Sequence, residues 1–597
     1  MCGIVGYTGH RKAHSILLDG LRRLEYRGYD SCGVALPGKK TITIEKQLGF
    51  VEGLKTKKQH PGLYGIGHTR WATVGRPTIE NAHPFTDCSG NIAIVHNGDI
   101  DNFVSIREKL ENEGHQFTSD TDSEIIAHLI ESYNNYSLPK SVVMAISELQ
   151  GSYALAVLSQ HTNQLIVARQ NSPLVIGIGE NEQFVASDVP AIAEKTPNVI
   201  FLEDGDIAVL SPEKPDIFHN EIPVKRSIHN IPWVSQELGK AGYRHHFLKE
   251  VHEQPRVLQD SISGRISNIS PGVSKHPSLI SYNKPDNIFI SACGSAYHAA
   301  LIGKQFWSNF TSATINVEIA SEIESLKNVS QNDWGIFISQ SGETADTIAA
   351  ARIARNAGYT TIGLTNTPNS SLTRLVEFSI ETKATPPENS VAASKTFISQ
   401  VMELYLLTLS CSQIPVSQLY SMLNELRSLP EKAQRTLEMN SQFKEIGKWL
   451  AKYDNSYLIA KGINYPVALE GALKLKELAY QHAEAFPAGE LKHGPFALLT
   501  ESTPVLAIVP DGLLQSRMLT SIKEIKSRGA PVIAITNGDL SLISPIVDIA
   551  VKVPSSDPMF MPIINTIALQ LIAYHCADAR ECPIDRPRNL AKSVTVH

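Results

Sequence analysis

A strand-rich α+β amino-terminal part followed by two duplicated α/β lobes with parallel sheets is the fold class this sequence predicts. Three features point to it. At 597 residues the chain exceeds what one hydrophobic core organises, since domains usually run to about 100–200 residues. Short apolar runs recur up to residue 210 with helical stretches between them, and beyond residue 240 one strand–turn–helix pattern occurs twice. Composition is that of a soluble globular protein, 42% hydrophobic and 19% charged with a formal net charge of −6. Such a balance holds no basic excess for nucleic acid or an anionic membrane.

The chain opens Met1-Cys2-Gly3-Ile4-Val5-Gly6-Tyr7. Cys2 is small enough for Met1 to be removed, which would place a free α-amine beside the thiol. An α-amine titrates near ~7.7–8.0 and a plain cysteine near ~8.5, so one residue would hold nucleophile and base. The competing reading is a small apolar residue at the start of a buried strand. A helical stretch follows over 10–25 and another over 122–150. IAIVHNG (92–98), YALAVLS (153–159), QLIVARQ (164–170) and GDIAVLS (205–211) read as strands. Around 211–240 Pro, polar and charged residues mark a boundary, and YRHHFLKEVHEQPRVLQDSI reads as helical.

The remainder repeats itself. NIFISACGSAYHAALIGKQF (287–306) and NSYLIAKGINYPVALEGALKLKEL (455–478) share a strand, a Gly turn and a helix. TTIGLTN (360–366) and PVIAITN (531–537) correspond in the same way, as do WGIFIS (334–339) and TPVLAIVP (503–510). Buried β-rich runs alternating with helices predict parallel strands, whose carboxyl ends favour ligands.

Four features carry chemistry. In SQSGETADT (339–347) hydroxyls and backbone N–H groups sit where a strand ends and a helix begins, a place suited to a sugar phosphate. No P-loop lysine is present, and the same segment also reads as a helix cap with a polar loop. In PVALEGALKLKELAY (466–480), Glu470, Lys474 and Glu477 share one helical face, either as acid–base machinery or as a solvated surface. His493 lies in a Gly/Pro-bounded loop, where it could act as an acid–base group or be ordinary. Lys592 in the tail DRPRNLAKSVTVH could form an imine with a carbonyl if the tail folds into a site, although such termini are often disordered.

Cysteines at 2, 32, 88, 293, 411, 576 and 582 are scattered, odd in number and without C-x-x-C. That speaks against a disulfide framework and a cysteine-based zinc site, and fits a reducing cytoplasm. Neither a secretory leader nor an apolar run of spanning length is recognisable.

MCGIVGY, LRRLEYRGYDS (21–31), GHTRWAT (67–73), NAHPF (81–85), VHNGDIDN (95–102) and SDTDSE (119–124) resemble an N-terminal-nucleophile (Ntn) glutamine amidotransferase domain. SQSGETADT, LEGALKLKE, HAEAFPAGELKHGP and PRNLAKSVTV resemble the paired sugar-isomerase (SIS) lobes of the glutamine–fructose-6-phosphate aminotransferase family. The resemblance runs essentially end to end, at the length of the bacterial form. It implies an Ntn hydrolase sandwich over 1–215, a linker over 216–245, SIS lobes over 246–425 and 426–584, and an active-site tail over 585–597. It also implies conversion of fructose 6-phosphate and glutamine to glucosamine 6-phosphate and glutamate, with ammonia channelled between sites. No cofactor or metal is needed, and the family pattern is a cytoplasmic homodimer with shared isomerase sites.

Carried over by motif, Cys2 would attack glutamine, Asn97 and the Gly98 N–H would form the oxyanion hole, and Arg70 and Asp122 would clamp the glutamine carboxylate and ammonium. Thr73 belongs to the glutamine-binding segment, and Trp71 resembles the channel gate. Ser295, Ser339, Gln340, Ser341 and Thr344 would hold the sugar phosphate. His493, from the partner subunit, would assist ring opening, and Lys592 would form the Schiff base. Glu477 would shuttle the C1–C2 proton, supported by Lys474 and Glu470. The sequence departs from the family pattern at Ala296, Ala393, Pro386-Pro387, Val74 and Asp99. Those substitutions leave open a paralogue that aminates another ketose phosphate. A non-catalytic sugar-phosphate sensor and a phosphoribosyl-amidotransferase are further alternatives, the first not needing Cys2, Glu477 and Lys592 together and the second lacking its pyrophosphate loop here.

Overall fold

The computed structural model describes residues 2–54, 61–231, 239–266, 272–273, 285–327, 329 and 332–595. Met1 and part of the 216–245 boundary segment lie outside the described residues. The chain divides into two compact units, Met1–Ser235 with Ala591–His597, and Gln236–Leu590.

The first unit stacks two antiparallel sheets. In the eight-stranded sheet, Gly3–Thr8 lies between Gln183–Ala186 and Tyr64–Arg70. The seven-stranded sheet pairs Ile92–Ile100 with Gly151–Ser159, next to its edge strand Phe85–Thr86. Side chains alternate along each strand, so each strand contributes to two cores. Ile4, Ala35 and Ile66 meet Ala93, Val95, Ala154 and Ala156 between the sheets. Val5 and Tyr7 face the other way, against Leu17 and Leu21 of the helix Ala13–Leu24. On the opposite outer face, Ile94, Leu155 and Val157 pack with Ile126, Ile130 and Val142 of the helices Glu124–Ser132 and Leu138–Glu148. The product is a helix–sheet–sheet–helix sandwich.

Burial on both faces is why these strands read as continuous apolar runs rather than alternating ones. The helical stretch expected over 122–150 is two helices, because Pro139 fits only the first turn of the second. The boundary around 211–240 also contributes short strands, Pro215–His219, Ile222–Val224 and His229–Asn230. Prolines and exposed polar residues are tolerated there because these strands lie at or next to sheet edges.

The second unit contains the repeat as two five-stranded sheets of identical order. The first runs Thr314–Ile319, Asn287–Ala292, Trp334–Ile338, Thr360–Thr365, Phe378–Glu381, and the second runs His482–Pro487, Asn455–Ala460, Val505–Val509, Val532–Thr536, Ile549–Lys552. Every pairing is parallel. In each lobe the first strand in the chain lies inside the sheet, so the winding reverses between the first and third strands. That reversal opens a crevice at their carboxyl ends, the usual ligand position in such sheets. The helices Lys395–Cys411 and Met561–Ala579 are buried almost all round, and one apolar core runs through both lobes. The helical stretch over 243–262 is two helices, His246–His252 and Gln254–Ile262, with Pro255 in the first turn of the second. Among the described residues, no helix is long and apolar enough to cross a membrane.

Candidate active sites in the two units

In the first unit Cys2 immediately precedes the strand Gly3–Thr8, where its side chain meets the loop after Tyr64–Arg70. The Trp71 N–H donates to Cys2 Sγ at 3.4 Å. Asn97 Nδ2 and Arg27 Nε donate to the Cys2 carbonyl at 3.0 and 3.1 Å. Burial pushes the thiol above its ordinary value, against the opposing pull of the Trp71 amide, Arg70 and Arg27. A thiol held protonated in this way needs a base at the moment of attack.

Asn97 and Gly98 lie on Ile92–Ile100, opposite Ala154 and Tyr153. Gly98 has φ +134°, and a Cβ there would fall 2.0 Å from the Ser152 carbonyl oxygen, so only glycine fits. Asn97 Oδ1 accepts from His68 Nε2 at 3.0 Å, and the same nitrogen lies 3.0 Å from the His96 carbonyl oxygen. Both partners are acceptors, which fixes the proton on Nε2 and turns the Asn97 NH2 toward Cys2.

Arg70 is 3% exposed. Its guanidinium is held by the carbonyls of Val74, Gly75 and Arg76. It makes no ion pair among the described residues, and Asp30 and Asp122 act on its buried charge only from beyond ion-pair distance. Since the Val74 backbone does the holding, the side chain at 74 is not what positions the clamp. Asp122, 4% exposed, accepts the Ile100 N–H at 3.0 Å and the Ser123 hydroxyl at 3.3 Å. Asp99 donates its N–H to Ser152 Oγ at 3.3 Å, and Thr73 is exposed on the loop that carries Arg70.

His68 is fully buried and stacks on His83, with ring centroids 4.0 Å apart. Burial lowers its pKa to about 3. An unfolded histidine ionises near ~6.5, so the unfolded chain takes up the proton first. Stability from this group is therefore complete above pH ~6.5 and is lost toward pH 3, by up to ~1.4 kcal/mol per pH unit. Acid unfolding followed by circular dichroism is expected to steepen below pH 6, with His68→Gln removing about one proton from the slope. An unchanged slope in the variant would refute that assignment.

In the second unit the acidic helix face is no solvated surface. On the helix Tyr465–Ala479, Lys474 is 0% and Glu470 1% exposed. Lys474 Nζ lies 3.3 Å from Glu470 Oε1 and also donates to Glu477. From the other lobe, Ser295 Oγ donates to Glu470 Oε1 at 2.9 Å and accepts from Lys474 at 3.2 Å. His298 Nδ1 lies 2.8 Å from Glu470 Oε2. Lys474, His298 and Ser295 hold Glu470 below the usual carboxylate range despite complete burial, and the two carboxylates raise Lys474. The result is a desolvated network of charged and polar groups across both lobes, with the partly exposed Glu477 at its open end.

The phosphate loop occupies the adjacent strand end. Ser339 Oγ is 2.8 Å from Thr344 Oγ1 and accepts the Gly342 N–H at 3.1 Å. Ser341 Oγ accepts the Glu343 N–H at 3.1 Å, and the Gln340 carbonyl accepts the Asn366 N–H at 3.1 Å. Gly342 has φ +64°, and a Cβ there would meet Ser370 Oγ at 2.0 Å. These turns place the hydroxyls at the start of the helix Ala345–Asn356, whose positive end suits an anion. The Ser295 hydroxyl, grouped by resemblance with the phosphate ligands, is hydrogen-bonded to Glu470 and Lys474. Ala296 and Ala393 are half-buried, and Thr385–Pro386 is a cis peptide. His493 is exposed on a turn ending at Gly494, which has φ +141°. Lys592 is half-buried in the irregular tail that groups with the first unit.

Three contributors escaped the sequence reading. His68 and Arg27 act on Asn97 and Cys2 from strands and loops distant in the chain. His298, in the quoted CGSAYHA, stands one helical turn from Gly294, and that spacing was the available signal.

A half-buried cysteine at position 2 with an amide donor, beside a buried arginine without an ion pair among the described residues, defines an amidotransferase-type nucleophile domain, joined here to a double α/β domain of the sugar-isomerase type. Residues 68–194 match the glutamine amidotransferase domain family, and 281–410 and 450–577 match the SIS domain family. The chain is 42% identical to "Glutamine--fructose-6-phosphate aminotransferase [isomerizing]" of Halobacterium salinarum over 605 residues and to that of Thermococcus kodakarensis over 614, covering 100% of both chains in each case. Its second half is similar in structure to the C-terminal domain of glucosamine-fructose-6-phosphate aminotransferase from Francisella tularensis, with TM-score 0.55 and 32% identity, over 58% of this chain and 100% of that one. The chain belongs to the glutamine–fructose-6-phosphate aminotransferase family.

Proposed function

We propose that this chain transfers the amide nitrogen of glutamine to fructose 6-phosphate, yielding glucosamine 6-phosphate and glutamate. One observation carries the reading: a single chain holds both the half-buried Cys2 with its Trp71 amide donor and the Glu470–Lys474–Glu477 cluster around a buried Lys474. Arg70 and Asp122 clamp the amino-acid end of glutamine, and the freed α-amine of Cys2 takes the thiol proton as sulfur attacks the side-chain amide. Asn97 Nδ2 and the Gly98 N–H stabilise the oxyanion, and the α-ammonium returns its proton to the leaving ammonia as the thioester forms. Water then hydrolyses the thioester to glutamate and the free thiol. Ammonia reaches the sugar site by an internal channel gated at Trp71. Lys592 condenses with the C2 ketone and is displaced by ammonia, and Glu477 then moves a proton between C1 and C2. Lys474 and Glu470 hold Glu477 in place, and the 339–344 loop binds the phosphate.

The same reading sets domains at 1–215, 246–425 and 426–584, with a linker at 216–245 and an active-site tail at 585–597. It makes the enzyme a cytoplasmic homodimer in which His493 assists ring opening in the partner's site. The exposure of His493 and the seven free cysteines agree with those expectations. A second reading, another ketose phosphate as acceptor, is favoured by Ala296 beside a Ser295 already engaged by Glu470 and Lys474. Incubation with glutamine and a panel of ketose and aldose phosphates, with products identified by mass spectrometry and NMR, decides between them. Glucosamine 6-phosphate from fructose 6-phosphate is the expected product, and an inert fructose 6-phosphate beside another aminated sugar would sink the substrate assignment.

A further inference from the structure

On the outer helical side of the first unit, four side chains from three segments converge with no role in the chemistry above. Cys88 sits in the turn after Phe85–Thr86, shaped by Asp87 Oδ1 accepting the Asn91 and Ile92 N–H groups at 2.8 and 2.9 Å. His115 lies in the connection between the helices Phe103–Asn112 and Glu124–Ser132, and His128 and Glu131 lie one turn apart on the second of these. Cys88 Sγ is 3.7 Å from His115 Nδ1 and 3.4 Å from His128 Nδ1. Glu131 Oε2 is 3.0 Å from His115 Nδ1 and 3.4 Å from His128 Nδ1. All four donor atoms lie within 4.8 Å of one another.

The four sulfur–nitrogen and oxygen–nitrogen separations, 3.0 to 3.7 Å, are close to the edges of a coordination tetrahedron. Zinc–nitrogen and zinc–oxygen bonds of ~2.0–2.1 Å with a zinc–sulfur bond of ~2.3 Å put neighbouring ligand atoms about 3.3–3.6 Å apart. A second observation is independent of the cluster's own distances. His128 is 1% exposed, and its other nitrogen, Nε2, is buried without a hydrogen-bond partner, 3.9 Å from Glu124 Oε1. Glu124 is itself fixed by Thr118 N–H at 3.0 Å, Thr118 Oγ1 at 2.7 Å and Ser119 N–H at 2.6 Å. A metal on Nδ1 would leave the proton on Nε2, directed at that carboxylate, the carboxylate–histidine–metal arrangement that orients ligating imidazoles.

We propose that Cys88, His115, His128 and Glu131 bind a structural Zn²⁺. A thiolate, a carboxylate and two neutral imidazoles balance its charge, and one sulfur with two ring nitrogens selects zinc over the oxygen-seeking magnesium and calcium. Four protein ligands close the coordination sphere, so the ion holds structure rather than reacting. It ties the turn leading to the Asn97 strand to the helix that begins just after Asp122. The sequence reading set a zinc site aside because it weighed cysteine pairs, and this donor set has one cysteine with ligands spread from 88 to 131.

The test uses the full-length protein, stripped with chelator and titrated with Co²⁺. One equivalent per chain is expected, with tetrahedral d–d bands in the visible, a thiolate charge-transfer band in the near ultraviolet, and displacement of both by zinc. Cys88→Ala, at an exposed position, should keep the fold by circular dichroism, lose the charge-transfer band and weaken binding by about 100-fold or more. His115→Gln provides a second variant, with d–d bands weakened or lost. A titration without tetrahedral bands, or a charge-transfer band that survives in Cys88→Ala, would overturn the proposal. These readouts do not depend on which sugar the enzyme aminates.

Discussion

Cys2→Ala is expected to lose glutamine-dependent synthesis by at least about 10³-fold while synthesis from ammonium persists. In the proposed mechanism sulfur forms the acyl bond, and Asn97 and the Gly98 N–H stabilise charge that arises only after attack. Without the thiol no tetrahedral species forms, so the amide donor of Asn97 and the Gly98 N–H have nothing to stabilise. Arg70 is held by the backbone carbonyls of the 74–76 segment and Asp122 by the Ile100 amide, not by Cys2. Glutamine binding measured by calorimetry should therefore survive the substitution, and only turnover should vanish. The sugar-site cluster lies in the second unit, so externally supplied ammonia still meets intact acid–base groups. Glutamine-dependent product formation at the wild-type rate would remove Cys2 from the mechanism. Intact-mass analysis supplies the companion check, because burial pushes the thiol up and a base is required. Protein that is fully active with glutamine and still carries Met1 would rule out the α-amine as that base.

What could be read from the residues follows the range of the interactions concerned. The repeat, the parallel lobes and the shared face of Glu470, Lys474 and Glu477 were legible because period and spacing are local properties of the chain. Burial was not, since a run of two acids and two lysines reads equally as a wet surface. Only the neighbouring lobe, through Ser295 and His298, makes that face a dry one. The two unexpected helix breaks, at Pro139 and Pro255, were present in the sequence and outweighed by apolar periodicity around them. Likewise His68 orients Asn97 from a position 29 residues away, across strands whose pairing no local pattern specifies. Resemblance to the family assigned candidates for the nucleophile, the clamp and the phosphate loop by motif. It was silent on the cluster around Cys88, whose four ligands belong to no quoted motif as a set.

Lys474→Met carries the largest expected cost in the second unit, about 3–5 kcal/mol of stability, because it strands a buried carboxylate. Glu470 is 1% exposed, and its charge is tolerated through Lys474 first, then through His298 and Ser295. Removing the ammonium leaves an imidazole and one hydroxyl to hold a carboxylate with no access to water. Glu470 should respond by binding a proton, which raises its pKa toward or above the ordinary range. In the wild type its depressed pKa supplies stability present above pH ~4.3 and lost on acidification through the folded value. In Lys474→Met that contribution disappears or reverses, so the variant's deficit should be largest near neutrality and shrink below pH 5. Glu470→Gln/Lys474→Met, with neither charge, should recover a substantial part of the loss in denaturant titrations, a coupling that independent sites would not show. Synthesis should fall by more than about 100-fold in Lys474→Met, since Glu477 loses the cation that orients it, while glutamine hydrolysis in the first unit continues. If Lys474→Met costs no more than an exposed lysine, under about 1 kcal/mol, the buried network assigned to this helix face is wrong.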